Sequence, residues 1–439
     1  TSRRAKIAAP LATSYRPGVP PQAPMDYIPR VQTEKYTYDL PTEYIAQHPL
    51  SERDHCRLLV ADCPTRSISH HIFAELPSLL PPGSVLVRNI TKVVHSRLIL
   101  QKSTGGLVEV FLLRPLTGSL EAGLAAFPPA EWECLIRGRR LRVGTEISAT
   151  TAHLCLHARI LELASGQGQV QLYWEPKTYT LAEILHHLGH VPLPPYLHRP
   201  DEPEDREHYQ TVYASIPGSV AAPTAGLHFT ERLLQELQQL GIAIVDVCLH
   251  VGLDTFKPLQ ASDIRHHYMH SEYLSVSRDA VAALHSFFLN PEREWLCAVG
   301  TTSVRTVESL YWHGVRLLYR EAAVWEAPFL SLPQWEAYRL LQNPTPLPAE
   351  ALAAILSWLD HHGLSRVEGA TELFIVPGYR YQVCDAIITN FHQPRSTLLL
   401  LVAAFIGDFW CHVYTEALTR GYRFLSYGDA SLLICPRHV

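Results

Sequence analysis

Trp295-Leu-Cys-Ala-Val-Gly-Thr-Thr-Ser-Val-Arg305 is the stretch that decides the fold class. Residues 295–299 are apolar throughout and read as a buried strand. The small residues from Gly300 to Ser303 suit a tight turn, and helical spacing runs on through 303–313. Outward from there the same alternation repeats. Helices are expected at 181–188, 230–240 and 279–288 and from 396 onward. Strands are expected at 85–90, 243–250, 374–376, 385–389 and 431–435. Strands alternating with helices imply an α/β fold, a mixed sheet flanked by helices.

A second texture interrupts the first. Short β-like runs at 96–100, 107–113, 133–136, 140–143, 154–161 and 169–174 are separated by glycine and turn residues, which suggests a small barrel. The expected organisation is therefore α/β with an inserted small β-barrel. Residues 32–92 and 178–439 would form the α/β domain and 93–177 the barrel. Within the α/β part, 326–370 is rich in proline and tryptophan, carries a helix near 349–361, and reads as an insertion. Residues 1–31 hold six prolines and read as a disordered or loosely docked arm.

Composition narrows the function classes. The 439 residues are 47% hydrophobic and 18% charged, which excludes disorder of the whole chain. A net charge of -5 excludes a uniformly basic nucleic-acid coat but leaves room for local patches. The nine cysteines are odd in number and lack any Cys-x-x-Cys, so neither a disulfide framework nor a zinc finger is expected. A reducing cytoplasm fits best. The apolar run at 398–406 is about half the length of a membrane span. No basic segment followed by an apolar one opens the chain, so no secretory signal and no membrane partner are expected.

Several polar clusters fall at expected strand ends, where open α/β sheets build their sites. His228 stands in Ala221-Ala-Pro-Thr-Ala-Gly-Leu-His-Phe-Thr230, His250 in Leu-His-Val-Gly, His270 in Tyr-Met-His-Ser-Glu and His392 in Thr-Asn-Phe-His-Gln-Pro. Histidine titrates near neutrality and serves both catalysis and core hydrogen bonding. His266, His267 and His270 have a possible metal spacing, but no carboxylate or cysteine set accompanies them, and no metal is expected. The turn at Gly300 offers N–H groups and hydroxyls to an anion. Arg305 and Glu308, three apart on one helix, are placed to pair. A carboxylate or phosphate clamp and a capped helix with a surface ion pair both remain open there. Neither a P-loop nor a Gly-x-Gly-x-x-Gly is present. Thr230 is a natural N-cap for the helix after it. Arg137-Gly-Arg-Arg-Leu-Arg142 puts four arginines on an expected hairpin, either a phosphate-tracking patch or a solvated strand face.

Longer blocks then carry a resemblance. They are Leu193-Pro-Pro-Tyr, Tyr209-Gln-Thr-Val-Tyr213, Val220-Ala-Ala-Pro-Thr-Ala-Gly-Leu-His-Phe229, Leu249-His-Val-Gly252 and Met269-His-Ser-Glu272. They continue through Val299-Gly-Thr-Thr-Ser-Val-Arg305 with Glu308, Thr389-Asn-Phe-His392, Ser396-Thr-Leu398 and Tyr422-Arg-Phe-Leu-Ser-Tyr-Gly-Asp429. In order and spacing the chain resembles the S-adenosylmethionine:tRNA ribosyltransferase-isomerases of queuosine biosynthesis, from about Tyr36 to Ile434 apart from 326–370.

The resemblance implies a small barrel inserted in an α/β domain. It also implies transfer and isomerisation of the ribosyl part of S-adenosylmethionine onto 7-aminomethyl-7-deazaguanine at the tRNA wobble position. Epoxyqueuosine would form, and adenine and methionine would leave. The partners would be S-adenosylmethionine as co-substrate and a tRNA with a GUN-type anticodon, with no separate cofactor and a monomeric, cytoplasmic protein. His228 and His250 are the first acid–base candidates, with Glu272 and Asp429 as alternatives. Thr224, Thr301, Thr302, Ser303, Arg305, His270 and Ser396 would surround the substrate, with Asn390 and His392 bonding a base or ribose. Arg137, Arg139, Arg140 and Arg142 would meet RNA. Two stretches depart from the family pattern, Asn89-Ile-Thr-Lys92 and Leu249-His-Val-Gly-Leu-Asp-Thr-Phe256, where Asp254 stands for a glycine. They keep open a divergent RNA-binding paralogue with a lost or altered substrate.

Overall fold

The apolar run at 295–299 forms the strand Leu296–Val299, buried at every residue, and Gly300 opens the helix Gly300–Leu318. The computed structural model describes residues 26–118, 120–164, 166–252 and 259–436. Parallel strands flank this one on both sides, Val85–Asn89 and Ala386–Asn390. A strand in that position has both faces covered, which explains why its sequence lacks polar alternation.

The complete sheet has ten strands. Their order is Leu330–Leu332, Arg366–Thr371, Glu272–Ser277, Ala243–Leu249, Val85–Asn89, Leu296–Val299, Ala386–Asn390, Ala430–Ile434, Arg57–Asp62 and Ser67–Ile72. It is mixed: Ala430–Ile434 runs antiparallel to Ala386–Asn390 and parallel to Arg57–Asp62. Alternate side chains enter two separate cores. Val85, Val87 and Ile387 belong to one, and Leu86, Cys297 and Ile388 to the other. The helix Gly300–Leu318 is buried along nearly its whole length and packs on the helix Pro348–His362.

The remaining strands are Thr91–Val93 with Ile216–Ser219, a parallel pair, and a closed six-stranded barrel. Around the barrel run Gln167–Glu175, Ala130–Arg137, Leu107–Pro115, Arg97–Lys102, Glu146–Thr150 and Cys155–Ala164, each antiparallel to its neighbours. Burial alternates along Ala130–Arg137, as a filled barrel interior requires. The fold class is thus α/β with a small β-barrel inserted in the chain.

The structure moves several expected boundaries. One compact unit contains His95–His190 and the other Tyr27–Val94 with Val191–Val439. The helix Leu181–Leu188, expected in the α/β domain, therefore goes with the barrel unit. A capping box of Thr180 and Glu183 starts it. Residues 326–370 add two strands to one end of the ten-stranded sheet and the helix Pro348–His362 to its core. No strand forms at 374–376, because that apolar run fills a core loop after the strand Arg366–Thr371. No strand forms at 140–143 either. The arginine segment joins Ala130–Arg137 to Glu146–Thr150, two strands that do not pair, so it is a crossing loop and not a hairpin. Within the expected arm, Val31 is buried, and its carbonyl accepts from the Ile264 amide. Residues 1–25 of the expected arm lie outside the described residues.

No single helix among the described residues is long and apolar enough to cross a membrane. The apolar run at 398–406 lies in the helix Thr397–Ile406, which turns by 115° into Phe409–Thr419. Leu399, Leu400 and Leu401 are buried in the core.

Candidate active site

Strand ends gather the site. A cleft of about 630 Å³, open solvent included, lies at the carboxyl ends of the parallel strands. Val251 follows Ala243–Leu249, Gly300 follows Leu296–Val299, Asn390 ends the strand Ala386–Asn390 and His392 follows it. The turn at Ala222 to Ala225, the pair Leu425 and Ser426, and Tyr196 complete its walls. This is where open α/β sheets bind ligands. The described lining contains no Asp, Glu, Lys or Arg. Hydroxyls, amides and one imidazole supply its polarity.

Gly300 has a φ of +81°, a conformation that L side chains rarely adopt. It turns the chain from strand into helix and leaves the first helical N–H groups without intrahelical partners. The N-cap residue, Val299, makes no side-chain capping bond. The helix therefore presents the positive end of its dipole beside the cleft. Thr301 and Thr302 line the cleft there, and the Thr302 hydroxyl has no partner among the described residues. Ser303 points elsewhere: its hydroxyl donates to the Val299 carbonyl at 2.7 Å.

The turn Thr224–His228 meets Asn390 at both of its ends. Thr224 Oγ1 donates to Asn390 Oδ1 at 3.0 Å. Asn390 Nδ2 donates to the Leu425 carbonyl at 3.1 Å and lies 3.2 Å from His228 Nε2. Leu425 offers that carbonyl from a left-handed conformation, φ +68°. On its other side His228 Nδ1 lies 3.2 Å from Cys56 Sγ. Burial holds the His228 imidazole down at about 3, with Arg423 and Arg53 adding to the effect. Thr224 and Asn390 line the cleft, whereas His228 sits behind them.

His392 also lines the cleft, with Nε2 2.9 Å from Thr389 Oγ1 and its pKa lowered by burial to about 3. Ser396 reaches the lining while capping the helix Thr397–Ile406: its hydroxyl accepts from the Leu399 amide. So Thr224, Thr301, Thr302, Asn390, His392 and Ser396 come together.

The other expected residues lie off that lining. His250 stacks on Tyr273 with ring centroids 5.6 Å apart and bonds Thr91 Oγ1 at 3.1 Å, and burial lowers it to about 4. Glu272 pairs with Arg305, which also donates to the Leu373 carbonyl at 3.1 Å. Burial pushes the Arg305 guanidinium down to about 10. Arg305 does not pair with Glu308, whose carboxylate accepts from the Tyr379 hydroxyl and the amides of Gln382, Val383 and Cys384. Asp429 accepts from the amides of Arg57 and Arg423. His270 is exposed against Tyr268. Arg137, Arg139, Arg140 and Arg142 are exposed on the barrel unit. Asp254 lies outside the described residues. The His, Cys and carboxylate side chains close enough to share a metal, among the described residues, are Glu52, Asp54 and His55. Asp54 there is already bonded by Thr230 and Arg232.

Tyr196 and Ser426 were not singled out by chemistry, yet both line the cleft and their hydroxyls lie 2.5 Å apart. Their signal was membership of the blocks Leu193-Pro-Pro-Tyr and Ser426-Tyr-Gly-Asp429. Asn89, in a departing stretch, is fully buried: its amide bonds both the N–H and the carbonyl of Leu249 and so ties two strands together.

Residues 33–433 match the family model described as queuosine biosynthesis protein. A Rubrobacter xylanophilus protein named S-adenosylmethionine:tRNA ribosyltransferase-isomerase is 39% identical over 92% of this chain and 98% of its own. One of the same name from Thermotoga petrophila is 36% identical over 92% of this chain and 100% of its own. A crystal structure of S-adenosylmethionine tRNA ribosyltransferase from Thermotoga maritima aligns at 29% identity and a TM-score of 0.44, covering 91% of this chain and 100% of that one.

Proposed function

The chain belongs to the queuosine biosynthesis family of S-adenosylmethionine:tRNA ribosyltransferase-isomerases, and from that premise we propose its substrates and products. It transfers the ribosyl part of S-adenosylmethionine to 7-aminomethyl-7-deazaguanine at the wobble position of a GUN-type tRNA and isomerises it. Epoxyqueuosine forms, and adenine and methionine leave. No separate cofactor takes part.

The observation that carries this reading is the uncharged, hydroxyl-lined and amide-lined cleft at the sheet's carboxyl edge. A sugar and a nucleobase are recognised by such groups, and a small concave site with few convergent polar atoms is the usual form. In this reading Thr224, Asn390, His392 and Ser396 face the adenosyl part. The open N-terminus of the helix Gly300–Leu318, with Thr301 and Thr302, receives the methionine carboxylate, since unpaired N–H groups and the helix dipole favour an anion. Low basicity keeps His392 neutral at pH 7, so it acts as a hydrogen-bonding wall of the cleft. RNA is met by the exposed arginines of the barrel unit.

The test is adenine release from S-adenosylmethionine, with and without tRNA carrying 7-aminomethyl-7-deazaguanine. Release only with the modified tRNA is the expected result. Tight tRNA binding with no release would overturn it in favour of a paralogue acting on another substrate.

A further inference from the structure

We propose that a buried line of hydrogen bonds fixes the Thr224 hydroxyl as an acceptor toward the cleft, where it takes the O–H of a ribose hydroxyl, and that His228 is the positioning residue that holds the line. The ribose rests on the function proposed above. The direction of the line does not.

The direction follows from one group that can only accept. Asn390 Nδ2 faces the Leu425 carbonyl at 3.1 Å, and a carbonyl has no proton to give. The NH₂ side of the amide is therefore the side toward Leu425 and His228, and the oxygen is the side toward Thr224. Because that oxygen is an acceptor, Thr224 must donate to it across 3.0 Å. Because Nδ2 is a donor, His228 Nε2 must accept across 3.2 Å and carries no proton. A neutral imidazole then carries its proton on Nδ1, which faces Cys56 Sγ at 3.2 Å. Burial keeps the imidazole neutral and the Cys56 thiol protonated. The protons along the line thus all run in one direction, from Thr224 toward Cys56.

Thr224 is only partly buried and lines the cleft, so its hydroxyl oxygen still offers lone pairs there. With its one proton committed to Asn390, it selects a ligand group that donates. The ribosyl part of S-adenosylmethionine carries two such groups, its 2′ and 3′ hydroxyls. A polar site wall held in one polarity discriminates better than a freely rotating hydroxyl, because a ligand without the matching proton leaves it unpaired.

Two measurements test this. The first reads ¹⁵N shifts of the His228 ring in the free protein at neutral pH. The Nδ1–H tautomer is expected, and the Nε2–H tautomer or an imidazolium overturns the line whatever the enzyme's substrate. The second measures binding of S-adenosylmethionine and of its 2′-deoxy and 3′-deoxy analogues to wild type, Thr224→Val, His228→Gln and His228→Leu, with thermal melting as the folding control. One analogue is expected to bind about 3- to 10-fold more weakly than the parent to wild type, and this difference should vanish in Thr224→Val. His228→Gln, whose amide oxygen can accept from Asn390, should restore the difference that His228→Leu erodes. Equal discrimination by wild type and Thr224→Val overturns the ribose contact. Full discrimination in His228→Leu overturns the positioning role. Failure of wild type to bind S-adenosylmethionine at all overturns the function and the ribose contact together, and leaves the ring tautomer to decide the line.

Discussion

Arg305 donates to Glu272, thirty-three residues earlier in the chain, and not to Glu308 one turn further along its own helix. Both members of the pair are buried, with side chains 9% and 8% exposed. The contact joins the helix Gly300–Leu318 to the strand Glu272–Ser277. Removing one partner leaves the other charge buried without its counter-charge. Glu272→Gln and Arg305→Met should each lower stability by about 3–5 kcal/mol, whereas the double replacement by apolar residues should cost much less. Urea unfolding of the three variants checks this. Equal costs for single and double variants would show that the pair is not coupled.

What the sequence revealed about this region, and what it hid, has a physical cause. The strand and helix on either side of Gly300 were legible because an apolar run with no polar alternation has few other uses, and because only small residues suit the turn. The partner of Arg305 was not legible, since spacing along one helix reports local neighbours only, and Glu272 reaches it across the sheet. The same limit applies to the cleft. His392 stood out by residue type at an expected strand end, and Thr224 and Asn390 entered through the family resemblance, but nothing local said that His228 faces the back of Asn390. Residues 326–370 read as an insertion, and the strands they contribute stayed hidden because strands as short as Leu330–Leu332 carry almost no periodic signal, and proline and tryptophan are common in loops. The run at 373–376 is apolar because it is core, which is compatible with a loop as much as with a strand.

Acid should destabilise this protein through its buried histidines. Burial, the main cause in each case, lowers His228, His313 and His392 from 6.5 to about 3, and His250 to about 4. The folded state then holds fewer protons than the unfolded state between those values and about 6.5. Their contribution is fully present above pH 6.5 and is lost as the pH falls toward 3–4, by up to about 1.4 kcal/mol per pH unit for each group. His313 isolates the effect, because it lies away from the cleft, packs on Trp358 with ring centroids 5.0 Å apart, and has neither ring nitrogen bonded among the described residues. His313→Leu should flatten the loss of stability between about pH 6.5 and 5 by one group's share. An unchanged slope would mean that His313 titrates normally in the fold.

Gly226 sits inside the turn that carries Thr224 and His228, and a Cβ there would come within 2.1 Å of the Tyr213 hydroxyl. That hydroxyl is buried and has no partner among the described residues, so it is a steric neighbour more than a hydrogen-bonding one. Gly226→Ala should cost about 1–3 kcal/mol, the usual range for overpacking, and should distort the turn. Tyr213→Phe on its own should be close to neutral, because it removes an unsatisfied polar atom. In the double variant the oxygen that clashes is gone, and much of the lost stability should return. Thermal unfolding of the single and double variants reads this directly. A double variant no more stable than Gly226→Ala would place the clash elsewhere, with Thr211 Cγ2 at 2.9 Å the next atom met.

The arginines of the barrel unit should separate by their local charge. Arg137 Nη1 lies 4.0 Å from Glu109 Oε2, whereas Arg139, Arg140 and Arg142 pair with no carboxylate among the described residues. A phosphate contact made by an unpaired arginine releases counterions, so its loss weakens RNA binding and also flattens the dependence on salt. Replacing Arg139, Arg140 or Arg142 by serine should reduce the slope of log K against log salt by about 0.7–0.9 per contact removed. Arg137→Ser should change it less, because Glu109 already offsets part of that charge. Filter binding of tRNA over a range of salt concentrations measures both terms. Weaker binding with an unchanged slope would assign these residues to shape or base contacts, and unchanged affinity in all four variants would make the segment a solvated loop.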